Sequence, residues 1–144
     1  MYNAIVVGTD GSPSARNAVT RAARMAKLCN ARLLIVSAYK GTNASVMSAL
    51  SGAALAQDDV DARTQVEAML AGLAAEFRKN ELEVDTFAYP GNAAQAILDV
   101  AESEQADLIV LGNRGMQGAR RYLGSVPSNV AHQAPCSVLI VSTH

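Results

Sequence analysis

The residues best placed to do chemistry lie between Gly112 and Ser128, a stretch of glycines, small hydroxyl residues and three arginines. It leaves an apolar run, Asp107 to Leu111, that reads as a buried parallel strand, and it ends in a segment that reads as a helix start. Glycines let a backbone approach a ligand closely and take up positive φ. A helix start adds unpaired N–H groups and partial positive charge, which suit a phosphate. Arg114 sits inside the turn and is the candidate phosphate contact, whereas Arg120 and Arg121 read equally well as a solvated face. The same glycines would also serve a plain chain reversal after a strand. A second turn of similar chemistry, Gly8 to Ser14, follows the first apolar run and carries Thr9 and Asp10 at its head. In an open α/β sheet, loops at the carboxyl ends of strands gather along one edge, where ligands bind.

Positioning two such turns on one edge requires alternating strands and helices, and the hydrophobic pattern supplies them. Ala4–Gly8, Arg32–Ala38, Glu83–Ala88, Asp107–Leu111 and Ser137–Val141 read as strands. The third of these alternates as if partly exposed. Ser14 to about Leu28, Val60 to about Lys79, Asn92 to about Ser103 and Ser128–Gln133 carry apolar residues at helical spacing. Ser12 or Ser14 can cap the first helix, and Pro13 suits its first turn. The order β-α-β-α-β-α-β-α-β predicts an α/β fold, a parallel sheet with helices on both faces. Residues 40–57, rich in Ala, Ser and Gly, are long and featureless for a connection, and read as a mobile flap over the ligand edge or as a short irregular helix.

Composition narrows the function classes. With 144 residues, the chain is long enough for one domain with a real core, and no interdomain linker divides it. Half of its residues are hydrophobic but only 4% aromatic, so the core must rest on Val, Leu, Ile and Ala. A net charge of −1 gives no basic face for nucleic acid. No apolar run reaches the roughly 18–20 residues of a membrane span, and the first residues lack the basic region and cleavage site of a signal peptide. A cytoplasmic location is expected. Cys29 and Cys136 lie far apart in segments that read as packed, and are expected to be buried small hydrophobes. Asp58, Asp59 and Asp61 read as acids favoured at a helix N-terminus rather than as a metal site. Neither His132 nor His144 is placed to act as a ligand or a base, and no metal site is expected. No P-loop, no G-x-G-x-x-G after the first strand, no nucleophile elbow and no paired acid and base are present.

With this order in view, the chain resembles the universal stress protein family along essentially its full length. The resemblance rests on Gly112-Asn-Arg-Gly115 followed by Gly124-Ser125, on the opening from Ile5 to Ser12, and on the closing stretch from Ala134 to Val141. It implies a Rossmann-like domain of five parallel strands, of the adenine nucleotide alpha hydrolase type, over residues 1–144. It also implies an adenine nucleotide along the carboxyl edge, since the branch that binds none typically lacks these glycines. Carried over by position, Thr9 and Asp10 would sit near the nucleoside, and Ala38 would offer backbone groups to the adenine edge. Gly112 and Gly115 would line the ribose and phosphates, beside the Arg114 already marked by the turn as a phosphate contact. Gly124, Ser125 and Val126 would present N–H groups and one hydroxyl to the phosphates, followed by Ser128. The family is commonly dimeric through its last strand, and Val138–Val141 carries no charge that would protect a free edge. A covering segment of the same chain is the alternative.

This chain departs from the family pattern in two places. The spacer between Gly115 and Gly124 is eight residues, one shorter than the family's, and Pro127 stands where a hydroxyl residue is common. Proline brings neither N–H nor hydroxyl to a phosphate, so AMP and cyclic AMP compete with ATP as the expected ligand. The leading expectation is a nucleotide-binding sensor or regulator of the stress response, with Mg²⁺ arriving only with nucleotide phosphates. A slow Mg-dependent ATP hydrolase using Asp10 to hold the metal is one alternative. A ligand-independent interaction or chaperone-like protein is the other.

Overall fold

The structure, a computed structural model, describes residues 1–40, 53–113 and 126–143, with side chains of the second helix described from residue 60 onward. Its elements run β1 (Ala4–Gly8), α1 (Pro13–Cys29), β2 (Arg32–Tyr39), α2 (Ala53–Arg78), β3 (Val84–Pro90), α3 (Ala93–Ser103), β4 (Leu108–Gly112), α4 (Val126–Gln133) and β5 (Ser137–Val141). The five strands form one parallel sheet in the order β3-β2-β1-β4-β5. Chain direction across the sheet reverses between β1 and β4, and that reversal opens a crevice at the carboxyl ends of these two strands.

Alternation along the central strands divides the core into two layers. Ile5, Val7, Leu33, Ile35 and Val110 face α1 and α2, packing on Ala18, Ala22, Leu70 and Phe77. Ala4, Val6, Leu34, Val36 and Ile109 face α3 and α4, packing on Ile97, Val100 and Val130. Small residues on the helices let them approach the sheet closely, as the scarcity of aromatics requires.

Local chemistry sets the helix ends. Ser12 caps α1, its side chain accepting from the N–H of Ala15 at 3.2 Å, and Pro13 occupies the first turn. Asn30 ends the same helix in the left-handed conformation, at φ 57°. Asn92 caps α3 by accepting from the N–H of Gln95 at 3.1 Å.

Most boundaries fall within two residues of the sequence expectation, with one clear correction. Helix α2 starts at Ala53, not near Val60, so the last part of the supposed 40–57 flap is helical. Alanine propagates a helix readily, and nothing in Ala53–Gln57 stops it. Its first turn therefore holds no acid, and Asp58, Asp59 and Asp61 lie further along the helix instead of at its N-terminus. Residues 41–52 of the flap lie outside the described residues. The two cysteines also differ from expectation. Both are free and only partly buried, at the margins of the two core layers. Burial, reinforced by the negative Asp107, raises the pKa of the Cys136 thiol.

The edges are β3, partly exposed as its alternation predicts, and β5, with Leu139 37% exposed. Among the described residues no strand pairs with the outer side of β5, which meets the geometric condition for pairing with a second copy. No helix among the described residues is long and apolar enough to cross a membrane.

At the opposite end of the sheet from the crevice, Asp107 precedes β4 instead of opening it and ties β4 to the start of β1. Its oxygens accept from the Asn3 N–H at 3.1 and 2.9 Å, and Oδ1 also accepts from the Ala4 N–H at 3.1 Å. Burial acts to raise the Asp107 pKa. The N–H donors of Ala4, Asn3 and Asp107 itself outweigh it and, with the Met1 ammonium, hold the pKa below the usual aspartate value. A depressed pKa contributes stability above the unfolded-state value, and this is lost as pH falls through the folded-state value. Asp107→Ala is expected to cost about 1–2 kcal/mol at neutral pH, after discounting for solvent screening. That difference should hold down to about pH 4 and shrink in stronger acid. Urea unfolding of both proteins across that range checks it, and a difference that widens in acid would contradict it.

Candidate functional site

The crevice at the β1/β4 reversal is a cavity of about 670 Å³, within the usual range for a small-molecule site. Strand ends form its floor: Gly8, Thr9 and Asp10 from β1, Val36 and Ala38 from β2, and Leu111 and Gly112 from β4. Three helices begin at its rim. Ser12, Ser14 and Ala15 come from the start of α1, Ala93 from that of α3, and Val126 and Pro127 from that of α4, while Ile97 and Thr143 complete the walls.

The β1–α1 turn is built by its own side chains. The Thr9 N–H donates to the Val36 carbonyl at 2.9 Å, which fixes the exit of β1 against β2. Thr9 Oγ1 accepts from the Gly11 N–H at 3.1 Å, and Asp10 Oδ1 accepts from the Ser12 N–H at 2.9 Å. Gly11 takes φ 82°, a conformation that a side chain would strain, and its α-carbon faces Met69 of α2. Ser12 Oγ and Ser14 Oγ lie 3.2 Å apart. The turn thus holds a carboxylate and three hydroxyls at the mouth of a helix.

Electrostatics at the rim are divided between the helix starts, which favour an anion, and the Asp10 carboxylate at the mouth of α1, which opposes one. Each helix N-terminus carries partial positive charge, and none of the three has an acidic residue in its first turn to offset it. Val36, Ala38, Ile97 and Leu111 give the floor and one wall an apolar surface that suits the flat face of a base. The described part of the cavity can therefore hold a molecule with an apolar ring at one end and negative charge near the rim. Among the described residues there is no group of three or more His, Cys, Asp or Glu side chains able to hold a metal ion. His132 is exposed in the last turn of α4, away from the rim.

Of the residues expected to bind ligand, Thr9, Asp10, Ala38, Gly112 and Val126 line this cavity. Ser128 lies in the first turn of α4, half-buried, and is not among the described lining residues. Arg114, Gly115, Gly124 and Ser125, with Arg120 and Arg121, lie outside the described residues. Several lining residues are not in the expected set. Ser12 and Ser14 are legible only as helix caps, and Ile97 only as a core position of α3. Thr143 follows the last strand and carries no pattern signal at all. Pro127, expected to deprive a phosphate of donors, is buried in the first turn of α4 and lines the cavity.

A five-stranded parallel sheet flanked by helices, Rossmann-like, with a crevice at its strand-order reversal defines a doubly wound α/β class, in which that crevice is the usual ligand position. Comparison with known proteins narrows the class. The model of the universal stress protein family matches residues 1–142. Universal stress protein Rv1636 of Mycobacterium tuberculosis is 37% identical over 153 aligned positions, covering 99% of this chain and 97% of that protein. A crystal structure of a universal stress protein in complex with cAMP aligns with TM-score 0.76 at 33% identity, covering 99% of this chain and 98% of the other. The universal stress protein of Archaeoglobus fulgidus in complex with dAMP shares the fold, with TM-score 0.69 at 22% identity over 96% of this chain and 97% of the other. The chain belongs to the universal stress protein family.

Proposed function

We propose that this universal stress protein binds an adenine nucleotide in the β1/β4 crevice and serves as a sensor or regulator in the stress response. The observation that carries the reading is the meeting of three helix N-termini, none offset by an acid in its first turn, around one cavity with an apolar floor. The cAMP and dAMP complexes of its relatives support the ligand class. In this reading Asp10 accepts from ribose hydroxyls beside Thr9, and Ala38 offers its backbone to the adenine edge. Gly112, Arg114 and Gly115 flank the ribose and phosphates, and Gly124, Ser125, Val126 and Ser128 supply donors to the phosphates. Pro127 removes an N–H from the rim, which favours the smaller charge of AMP or cyclic AMP over a full triphosphate.

Calorimetric titration with ATP plus Mg²⁺, AMP and cyclic AMP tests this. Saturable binding of at least one nucleotide is expected, with cyclic AMP or AMP at least as tight as ATP. Asp10→Ala should weaken it by about 10- to 150-fold, the range for a hydrogen bond to a charged group. Silence from folded protein with all three nucleotides would overturn the reading. Mg²⁺-dependent phosphate release that Asp10→Ala abolishes would instead make the chain a hydrolase.

A further inference from the structure

Thr143 lies beyond the end of β5 yet is 8% exposed, one of the few buried polar residues among those described. All of its polar groups are engaged. Its N–H and its hydroxyl each donate to Asn113 Oδ1 at 3.2 Å, and its carbonyl accepts from Asn17 Nδ2 at 3.3 Å. The Asn113 N–H in turn donates to the Val141 carbonyl at 3.0 Å, extending the β4–β5 pairing one step past the strands. Asn113 is the residue on which the chain leaves β4 for the glycine-rich turn, and Asn17 lies on α1, whose start forms part of the cavity rim. One threonine therefore joins α1, the exit of β4 and the exit of β5, and it lines the cavity itself.

The same residue explains why position 112 is glycine. A Cβ added at Gly112 would meet Thr143 Cγ2 at 2.7 Å, a distance real Cβ atoms do not tolerate. Its next neighbours would be Ala18 Cβ at 3.8 Å and Thr143 Cβ at 3.9 Å, both ordinary contacts. Among the described residues, one methyl group is all that would keep an alanine out of the space beside Gly112. That methyl belongs to Thr143, so within the described protein it is Thr143 that the glycine accommodates.

We infer that Thr143 is a positioning residue of the nucleotide site, holding Asn113 and seating Gly112 against α1 at the carboxyl end of β4, where Gly112 lines the cavity. This rests on the nucleotide reading above and adds to it a residue that acts through others. Hydroxyl and methyl have separate tasks. The hydroxyl holds Asn113, and the methyl occupies the room that a glycine at 112 leaves open.

The two tasks come apart in a compensation experiment on the full chain, with cyclic AMP and AMP as probes. Gly112→Ala is expected to weaken binding by about tenfold or more, because the new methyl displaces Thr143 and the exit of β4 with it. Adding Thr143→Ser removes the obstructing methyl and keeps the hydroxyl on Asn113, so the double variant should return to within about threefold of the parent, allowing for residual coupling. Thr143→Val, which keeps the shape and loses the hydroxyl, should weaken binding by about two- to tenfold, the range for one net hydrogen bond. Melting midpoints recorded alongside separate positioning from mere stability. A midpoint that falls while affinity stays at the parent value in all three variants would overturn the inference. Equal weakness of Gly112→Ala and of the double variant would also overturn it, since the ligand itself would then exclude a side chain at 112. Absence of nucleotide binding by the parent protein would overturn the nucleotide reading, and this inference with it.

Discussion

Gly8→Val is expected to destabilise the protein by about 1–3 kcal/mol, the usual range for overpacking a filled core, and to weaken nucleotide binding by about tenfold or more. Gly8 ends β1 on the cavity floor. A Cβ there would lie 2.6 Å from Ile97 Cδ1 and 3.3 Å from both Ile97 Cγ1 and Leu111 Cδ2. A flexible methyl can sometimes swing aside, but Ile97 is 3% and Leu111 4% exposed, so neither has anywhere to go except into the crevice. Stability and binding should therefore fall together. Thermal melting and nucleotide titration of Gly8→Val check this, and Gly8→Val combined with Ile97→Ala should recover part of both. A single variant that melts and binds like the parent would show that the β1 exit yields more easily than the packing implies.

The largest loss of stability is expected from Ile35→Ala, at about 2–5 kcal/mol. Ile35 is fully buried in β2, between Val7 of β1 and Thr86 of β3, and its side chain faces the α1–α2 layer. Truncation removes transfer free energy and leaves a cavity that two flanking strands and a helix layer hold open. For a domain of this size each kcal/mol shifts the melting midpoint by about 3–4 °C, so a fall of roughly 6–20 °C is expected. Leu139→Ala, at the 37% exposed position on edge strand β5, should cost far less. Equal losses at the two positions would show that the sheet interior does not carry the stability that its burial implies.

The legible and illegible parts of this fold divide along a physical line. Strands β1 and β5 end where the hydrophobic pattern says, because a short apolar run meets polar or turn residues on both sides. Helix α1 is announced by Ser12 and Pro13, whose capping is local. The start of α2 is not announced, because alanine favours the helix without marking where it begins. The acids at 58, 59 and 61 imitate an N-terminal signal that the helix does not use. Likewise Asp107 reads as the first residue of a strand, although its side chain serves as a clamp on the N–H groups of Asn3 and Ala4. That contact spans more than a hundred residues of sequence, and no periodicity can reveal it.

The candidate site shows the same division. Sequence alone determined the element order, the two glycine-bearing turns, and therefore the edge of the sheet on which Thr9, Asp10, Ala38 and Gly112 stand, because hydrophobic period, caps and turn residues act within a few positions along the chain. Only the tertiary structure decided the strand order that opens the crevice between β1 and β4, and brought the starts of α1, α3 and α4 to one rim. It also set Thr143 beneath Gly112 and Ile97 against Gly8. Those contacts join residues far apart in sequence, and whether a glycine is needed depends on which distant side chain fills the space beside it.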